Sequence, residues 1–353
     1  SFPPNHPIDH LLLVVHGIGT NDESLPTWVN HLRKTFDPTW QRKYLDIPLS
    51  VAVDAVSWHD LSRAPQETLQ NITLPTVPSL RTVINDTLLD VLYYRSPLYG
   101  QRIIMSVARL LNEKVAMYKK KYPNFTGQVS LFCHSLGSVI TFDILQNQTD
   151  ASSAEGPRPG PGDIEKLMFG EEMTDEAWEW PNLDFKVDNV FALGSPVAMF
   201  VTTRGDVNEE WWPQNATSFF FPGGARLFNI FDPTDPVAFR FEPLINSRYA
   251  QLPPAVIQNR HKRNSVKKED ASVMRADFFG WQRIDYQLQE GSDSGLMGHL
   301  RAVSNAHHCY WWSRDLSMFI LDTMLAQRFN AGEVTPSGAE SEMHGPYAHR
   351  GPK

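Results

Sequence analysis

Cysteine is scarce: Cys133 and Cys309 are the only two in 353 residues. Two thiols make no disulfide framework, and a reducing compartment is the easier setting for them. Long apolar runs are missing as well. No stretch reaches the roughly 18 uncharged residues of a membrane span, and Leu11 to Val15 has the length of a buried strand. Any membrane attachment is therefore expected to be peripheral. Positive charge is not in excess. The net charge of −8 argues against a nucleic-acid partner, which would call for a basic face, although a local basic run surrounds Lys262. The chain opens at Ser1 with neither methionine nor a signal-peptide pattern, so it is expected to be a fragment. One feature opposes a cytosolic setting: Asn-x-Thr triplets at Asn71, Asn85, Asn124, Asn147 and Asn215, the acceptor pattern for N-glycosylation.

What is present reads as globular. Apolar residues make up 41% and charged residues 20%, and the length suffices for a large core. Short β-branched runs alternate with helical stretches, which predicts an α/β fold with a mostly parallel sheet flanked by helices. The strand candidates are Asp9–Val15, Ser50–Val56, Gln128–Phe132, Asp188–Leu193, Arg226–Phe231 and Gln282–Leu288. Their near-continuous apolar character suits strands covered on both faces. Helices are expected at Pro26–Phe36, Ser79–Tyr93, Leu98–Tyr122, Leu136–Gln146 and Trp311–Phe329. A single domain over 1–330 accounts for these elements. Three segments break the rhythm: a Pro-, Gly- and acid-rich insertion at 151–184, an aromatic stretch at 209–224, and a basic loop at 253–276. Residues 331–353 read as a disordered tail.

The sharpest motif is His134-Ser135-Leu136-Gly137. An apolar strand runs directly into it and an apolar helix leaves it, the context of a nucleophile elbow on an α/β-hydrolase sheet. The turn is expected to expose the Ser135 hydroxyl at the carboxyl edge of the sheet, with the helix start supplying amides and a positive dipole end. Cys133 stands where the pattern has its first glycine and is small enough for the site. A serine capping a helix is the plainer reading of the same residues.

The first strand ends in His16-Gly17-Ile18-Gly19, where such folds place a second oxyanion amide. The backbone amides of Leu136 and of Ile18 or Gly17 are the candidates. The acid should follow a later strand, and Asp232 and Asp235 compete after Arg226–Phe231. The histidine should lie near the C-terminus, where spacing leaves His299, His307 and His308 open. Such a set performs acyl transfer through a serine ester and requires neither metal nor organic cofactor.

Longer motifs add to this. Asp9–Gly19, Asp90–Tyr99, His134–Ser138, Gly194–Ala198, Asp235–Arg240, Arg283–Tyr286 and His307–Asp315 together resemble the intracellular phospholipase A1 family that carries the DDHD domain. The resemblance spans nearly the whole chain in order. It implies that Asp235, Asp285, His307 and Asp315 are the four residues that name the domain. It prefers Asp235 over Asp232 and His307 over His308, hence Ser135, Asp235 and His307 as the triad. Asp285 and Asp315, with His16, would be supports, and Asp285 and Asp315 would order the His307 loop. The same four residues could instead ligate a divalent ion, but the serine elbow already claims an acid and a histidine.

The resemblance further implies a glycerophospholipid or lysophospholipid substrate, often with an anionic headgroup, and a cytoplasmic enzyme peripheral on intracellular membranes. Trp211, Trp212, Phe219 and Phe220 would form a lid or dip into a lipid interface, or else pack on the core. Arg260, Lys262 and Arg263 would meet anionic headgroups, or else lie in a solvated loop. The rivals are a lipase or esterase for neutral acylglycerols and a trafficking scaffold that binds lipid without turnover. Both cysteines sit inside these motifs, where small buried filler is the plain role.

Overall fold

The computed structural model describes residues 8–17, 24–37, 41, 49–58, 74, 76, 94, 96–148, 179–204, 221–257, 283–289 and 306–330. Its centre is a seven-stranded sheet: β1 (His10–Val15), β2 (Val51–Val56), β3 (Gln128–His134), β4 (Asn189–Leu193), β5 (Arg226–Phe231), β6 (Ala255–Val256) and β7 (Asp285–Gln287). The strand order is β2-β1-β3-β4-β5-β7-β6, and every pairing is parallel. The fold is thus α/β, and every strand pairing among the described residues is parallel.

A parallel sheet must be covered on both faces, and alternate residues of the strands divide between two cores. Leu11, Leu13 and Val15 of β1 join Leu131, Cys133 and Ala192 on one face. Ile104, Val107 and Leu111 of helix α2 (Pro97–Lys121) and Ile140 and Ile144 of helix α3 (Leu136–Gln146) cover that face. Leu12, Val14, Phe132 and Phe191 point the other way. Helix α1 (Ser24–Thr35), through Leu25, Val29 and Leu32, and the last helix, through Leu316, Ile320 and Met324, cover them. A short helix α4 (Val197–Thr203) follows β4.

The elements differ from the expectations mostly at their ends. The final helix, α5, runs Arg314–Asn330 and not from Trp311. Cys309–Trp311 forms a 3-10 turn, and the Ser313 hydroxyl accepts from the amide of Leu316, a cap that fixes the start. Ala255–Val256, at the head of the presumed basic loop, pairs with β7 as the sheet's last strand. Within the presumed exposed insertion, Trp180 and Leu183 pack on the core beside α2 and α3, because Asn112 and Gln148 bind the backbone of 181–184. The expected helix at 79–93 and the tail 331–353 lie outside the described residues.

Candidate active site

Four strand ends converge at the carboxyl edge, where parallel α/β sheets bind their ligands. β3 ends at His134 and Ser135 follows with φ 53° and ψ −128°, the one non-glycine with positive φ among the described residues. A serine held there is strained, and the fold retains it by clamping its backbone. The Ser135 amide donates to Leu193 O at 3.0 Å. The Ser135 carbonyl accepts from the Ser138 amide at 2.9 Å and from Ser138 Oγ at 2.5 Å. Ser138 Oγ in turn lies 2.7 Å from Ser195 Oγ. Leu136 opens α3, so its amide is among those a helix leaves without an internal acceptor. The elbow stands at the predicted edge, but Ser135 is only 5% exposed and not displayed to solvent. Neighbouring turns crowd over it.

β1 supplies the closest of these turns. A Cβ on Gly17 would lie 2.8 Å from Ser135 Cβ, and a Cβ on Gly137 would lie 2.6 Å from His16 O. Only glycine lets the β1 turn, Ser135 and α3 approach so closely. His16 is buried beneath the turn. Its Nδ1 is 2.7 Å from Gly17 O. A carbonyl only accepts, so Nδ1 carries the proton and Nε2 receives the Trp58 amide at 3.3 Å. The Trp58 indole returns a bond to His16 O at 3.0 Å and stacks on the imidazole, centroids 5.1 Å apart. These bonds tie His16 to its own turn and to Trp58. Ile18 lies outside the described residues.

The two acid candidates follow β5. Asp232 caps its own turn, accepting from Thr234 N at 2.9 Å and Thr234 Oγ1 at 2.6 Å. Asp235 faces the histidine instead: His307 Nδ1 lies 3.1 and 3.0 Å from its two oxygens. Tyr310 donates its hydroxyl to Oδ2 at 2.6 Å, and the Val237 amide donates to Oδ1 at 2.9 Å. Burial alone would raise the Asp235 pKa, but the bonds from His307, Tyr310 and Val237 outweigh it and hold the carboxyl below the usual range. With Nδ1–H on Asp235, Nε2 is the basic nitrogen of His307. His308 packs towards Trp28, and His299 lies outside the described residues.

Two residues of this site carried no assigned role in the sequence. Gly194, with φ +56°, stands where a Cβ would lie 2.6 Å from Asp235 Oδ2 and 3.1 Å from His307 Nδ1. A glycine directly after a buried strand was its available signal. Tyr310 braces Asp235 and accepts from the Asp232 amide at 3.0 Å; its position three residues after His307 gave no hint of the partner.

Asp285 does not order the His307 loop. It is fully buried and receives Asn229 Nδ2 and Phe241 N at 2.9 Å, Arg240 Nε at 3.1 Å and Glu242 N at 3.2 Å. Those donors belong to β5 and to the segment after Asp235, so Asp285 ties β7 to that segment. Asp315 lies in the first turn of α5, where negative charge complements the helix dipole. Among the described residues no group of three or more His, Cys, Asp or Glu side chains is placed to hold a metal ion. Burial pushes the Cys133 thiol up to about 12, and burial with Asp232 raises Cys309 too, so neither is a ready thiolate. Trp211, Trp212, Phe219, Phe220, Arg260, Lys262 and Arg263 lie outside the described residues. Phe221, the end of the aromatic stretch, is buried against Phe142.

The fold and site define an α/β protein whose strained serine, buried acid and histidine gather at the carboxyl edge of one parallel sheet. The family model for the DDHD domain matches residues 183–278 and 258–325, and the chain belongs to the DDHD domain family. It is 31% identical to an intracellular phospholipase A1 of Caenorhabditis elegans, over 70% of this chain and 32% of that one. It is 30% identical to a probable mitochondrial phospholipase of Schizosaccharomyces pombe, over 75% and 41%. A triacylglycerol hydrolase of Mus musculus, DDHD2, is 25% identical over 89% and 67%. The matched part spans about a third to two fifths of the first two relatives.

Proposed function

We propose that this domain hydrolyses acyl esters of glycerophospholipids, as a phospholipase A1 or lysophospholipase, through Ser135, His307 and Asp235. The observation that carries the reading is the strained Ser135 at the same sheet edge as a buried Asp235 paired with a part-buried His307. His307 Nε2 takes the Ser135 proton as Oγ attacks the ester carbonyl. Asp235, ionised and bound to Nδ1–H, fixes the tautomer and stabilises the imidazolium. The amides of Leu136 and of the Gly17–Ile18 turn receive the oxyanion. His307 then protonates the departing alcohol, and water releases the fatty acid by the reverse sequence. His16 holds the turn, and Asp285 holds the segment behind Asp235.

The names of the worm and yeast relatives support the phospholipid substrate. The name of the mouse relative favours neutral acylglycerols as a second reading. Action at a membrane surface is proposed to be peripheral; no helix among the described residues is long and apolar enough to cross a membrane. The test is hydrolysis of a panel of phospholipids and triacylglycerol in mixed vesicles by wild type and Ser135→Ala. A loss of about 10³-fold or more in the variant is expected, with phospholipids ranked first. Equal rates in the two proteins would remove Ser135 and return the lipid-binding scaffold to the front. Faster triacylglycerol cleavage would establish the second reading.

A further inference from the structure

His134 ends β3 one residue before the proposed nucleophile and is 3% exposed. Its Nε2 lies 2.6 Å from the main-chain carbonyl oxygen of His307, 173 residues away. A carbonyl oxygen only accepts, so Nε2 carries the proton and donates. Nδ1 then bears the lone pair, and among the described residues it has no hydrogen-bond partner. The ring also lies 4.7 Å, centroid to centroid, from the ring of His307 and 5.3 Å from Trp311. Burial, then the neighbouring His307 and His308, hold its pKa well below the ordinary imidazole value. It is therefore neutral at working pH.

We propose that His134 is a positioning residue for His307, its Nε2–H bond to the His307 carbonyl setting the base at a fixed distance from Ser135. The inference rests on the reading of Ser135, His307 and Asp235 given above. Asp235 grips the imidazole of His307 but leaves its main chain free, and that main chain sits on a loop beside a 3-10 turn. A second anchor on the carbonyl defines both ends of the residue. Because the anchor is the neighbour of Ser135 on a central strand, nucleophile and base share one rigid support, which is what proximity catalysis demands. A residue kept for packing alone would be better apolar, since an unpartnered buried nitrogen is unfavourable. Neutrality matters too. When His307 becomes an imidazolium, an uncharged ring 4.7 Å away adds no repulsion.

The test uses the 353-residue chain, a soluble nitrophenyl ester and a serine-directed fluorophosphonate label. His134→Gln keeps an N–H near the reach of Nε2. His134→Asn is too short, and His134→Leu has no donor. Leu and Asn should lower kcat roughly 10- to 10²-fold, by the misplacement of one group, with KM unchanged and labelling slowed in parallel. Gln should recover most of the rate and keep the shape of the wild-type pH profile. Wild-type kcat in a cooperatively melting His134→Leu overturns the proposal. If Leu does not fold, Gln and Asn decide alone, and equal rates in both overturn it. A pH profile that loses its acid limb in Gln also overturns it, because His134 would then itself be the base. Ser135→Ala beside them separates the two readings. Activity surviving there removes the nucleophile and this proposal together; activity lost there, with equal Gln and Asn, removes only the proposal.

Discussion

Both oxygens of Asp235 are occupied, and the donor on Oδ2 that belongs to no proposed triad member is Tyr310. Because the folded-state pKa of Asp235 is lowered, its ionisation stabilises the fold above the unfolded value of about 3.9, and that contribution is lost as pH falls through the folded value. Tyr310→Phe removes one of the bonds that lower it and strands the Asp232 amide. It should destabilise the protein by about 1–3 kcal/mol at pH 7, and urea unfolding at pH 3 should show a smaller difference. A constant difference at both pH values would mean that Tyr310 acts by packing. Gly194→Ala makes the complementary change. Its methyl would intrude between Asp235 and His307 on a left-handed backbone, and kcat should drop by about 10²-fold or more. Normal turnover by a folded Gly194→Ala would show that the acid–base pair tolerates separation. The sequence made the proposed nucleophile legible through strand, turn and helix in one stretch. It left the proposed acid and base as two and three alternatives, which the family resemblance narrowed to Asp235 and His307. Tyr310, the brace on Asp235, was not legible, because it meets its partner across 75 residues and no local period records that; Gly194 left only the weak signal of a glycine after a buried strand.

At the scale of elements, β5 and α3 stand at their predicted bounds, since strand-length or helix-length apolar runs are bounded by turn chemistry on both sides. β6 was hidden: two residues after Pro253-Pro254 pair only because β7 offers an edge. The element that aims Ser135 is α3, and it is tied down at its back by an ion pair. Arg204, capping α4, makes two bonds to Asp143 of α3, at 2.6 and 2.8 Å. Tyr94 adds its hydroxyl to the same carboxylate at 2.6 Å. Both charged side chains are almost wholly buried. Breaking such a pair leaves an uncompensated charge, so Arg204→Ala should cost about 3–5 kcal/mol in urea unfolding. Combining Arg204→Met with Asp143→Leu should restore part of that loss, because neither charge remains. Additive losses in the double variant would show that the tie contributes more than charge compensation.

At the scale of the whole molecule, the described residues form two apolar cores on opposite faces of one sheet, with the candidate site at the sheet's carboxyl edge. Two buried ionisable groups at that edge should respond to acid in separate windows. Asp235 responds only below the usual carboxylate range. His134 responds earlier. It is enclosed by His307 and His308 from the loop before the 3-10 turn and by His16 from the end of β1, so the native state refuses it a proton. Its lowered folded pKa means that its contribution to stability is complete above the unfolded value of about 6.5 and is lost as pH falls towards the folded value. Across that interval the unfolded chain gains a proton that the native protein does not. Stability should then decline by up to about 1.4 kcal/mol per pH unit from this group alone. His134→Gln has nothing to protonate there. Urea unfolding at pH 7.5, 6.0 and 5.0 should therefore show the variant gaining on wild type as the pH falls, by that slope. Parallel curves would mean that His134 takes up its proton in the folded protein, and that the site tolerates a charged histidine beside His307.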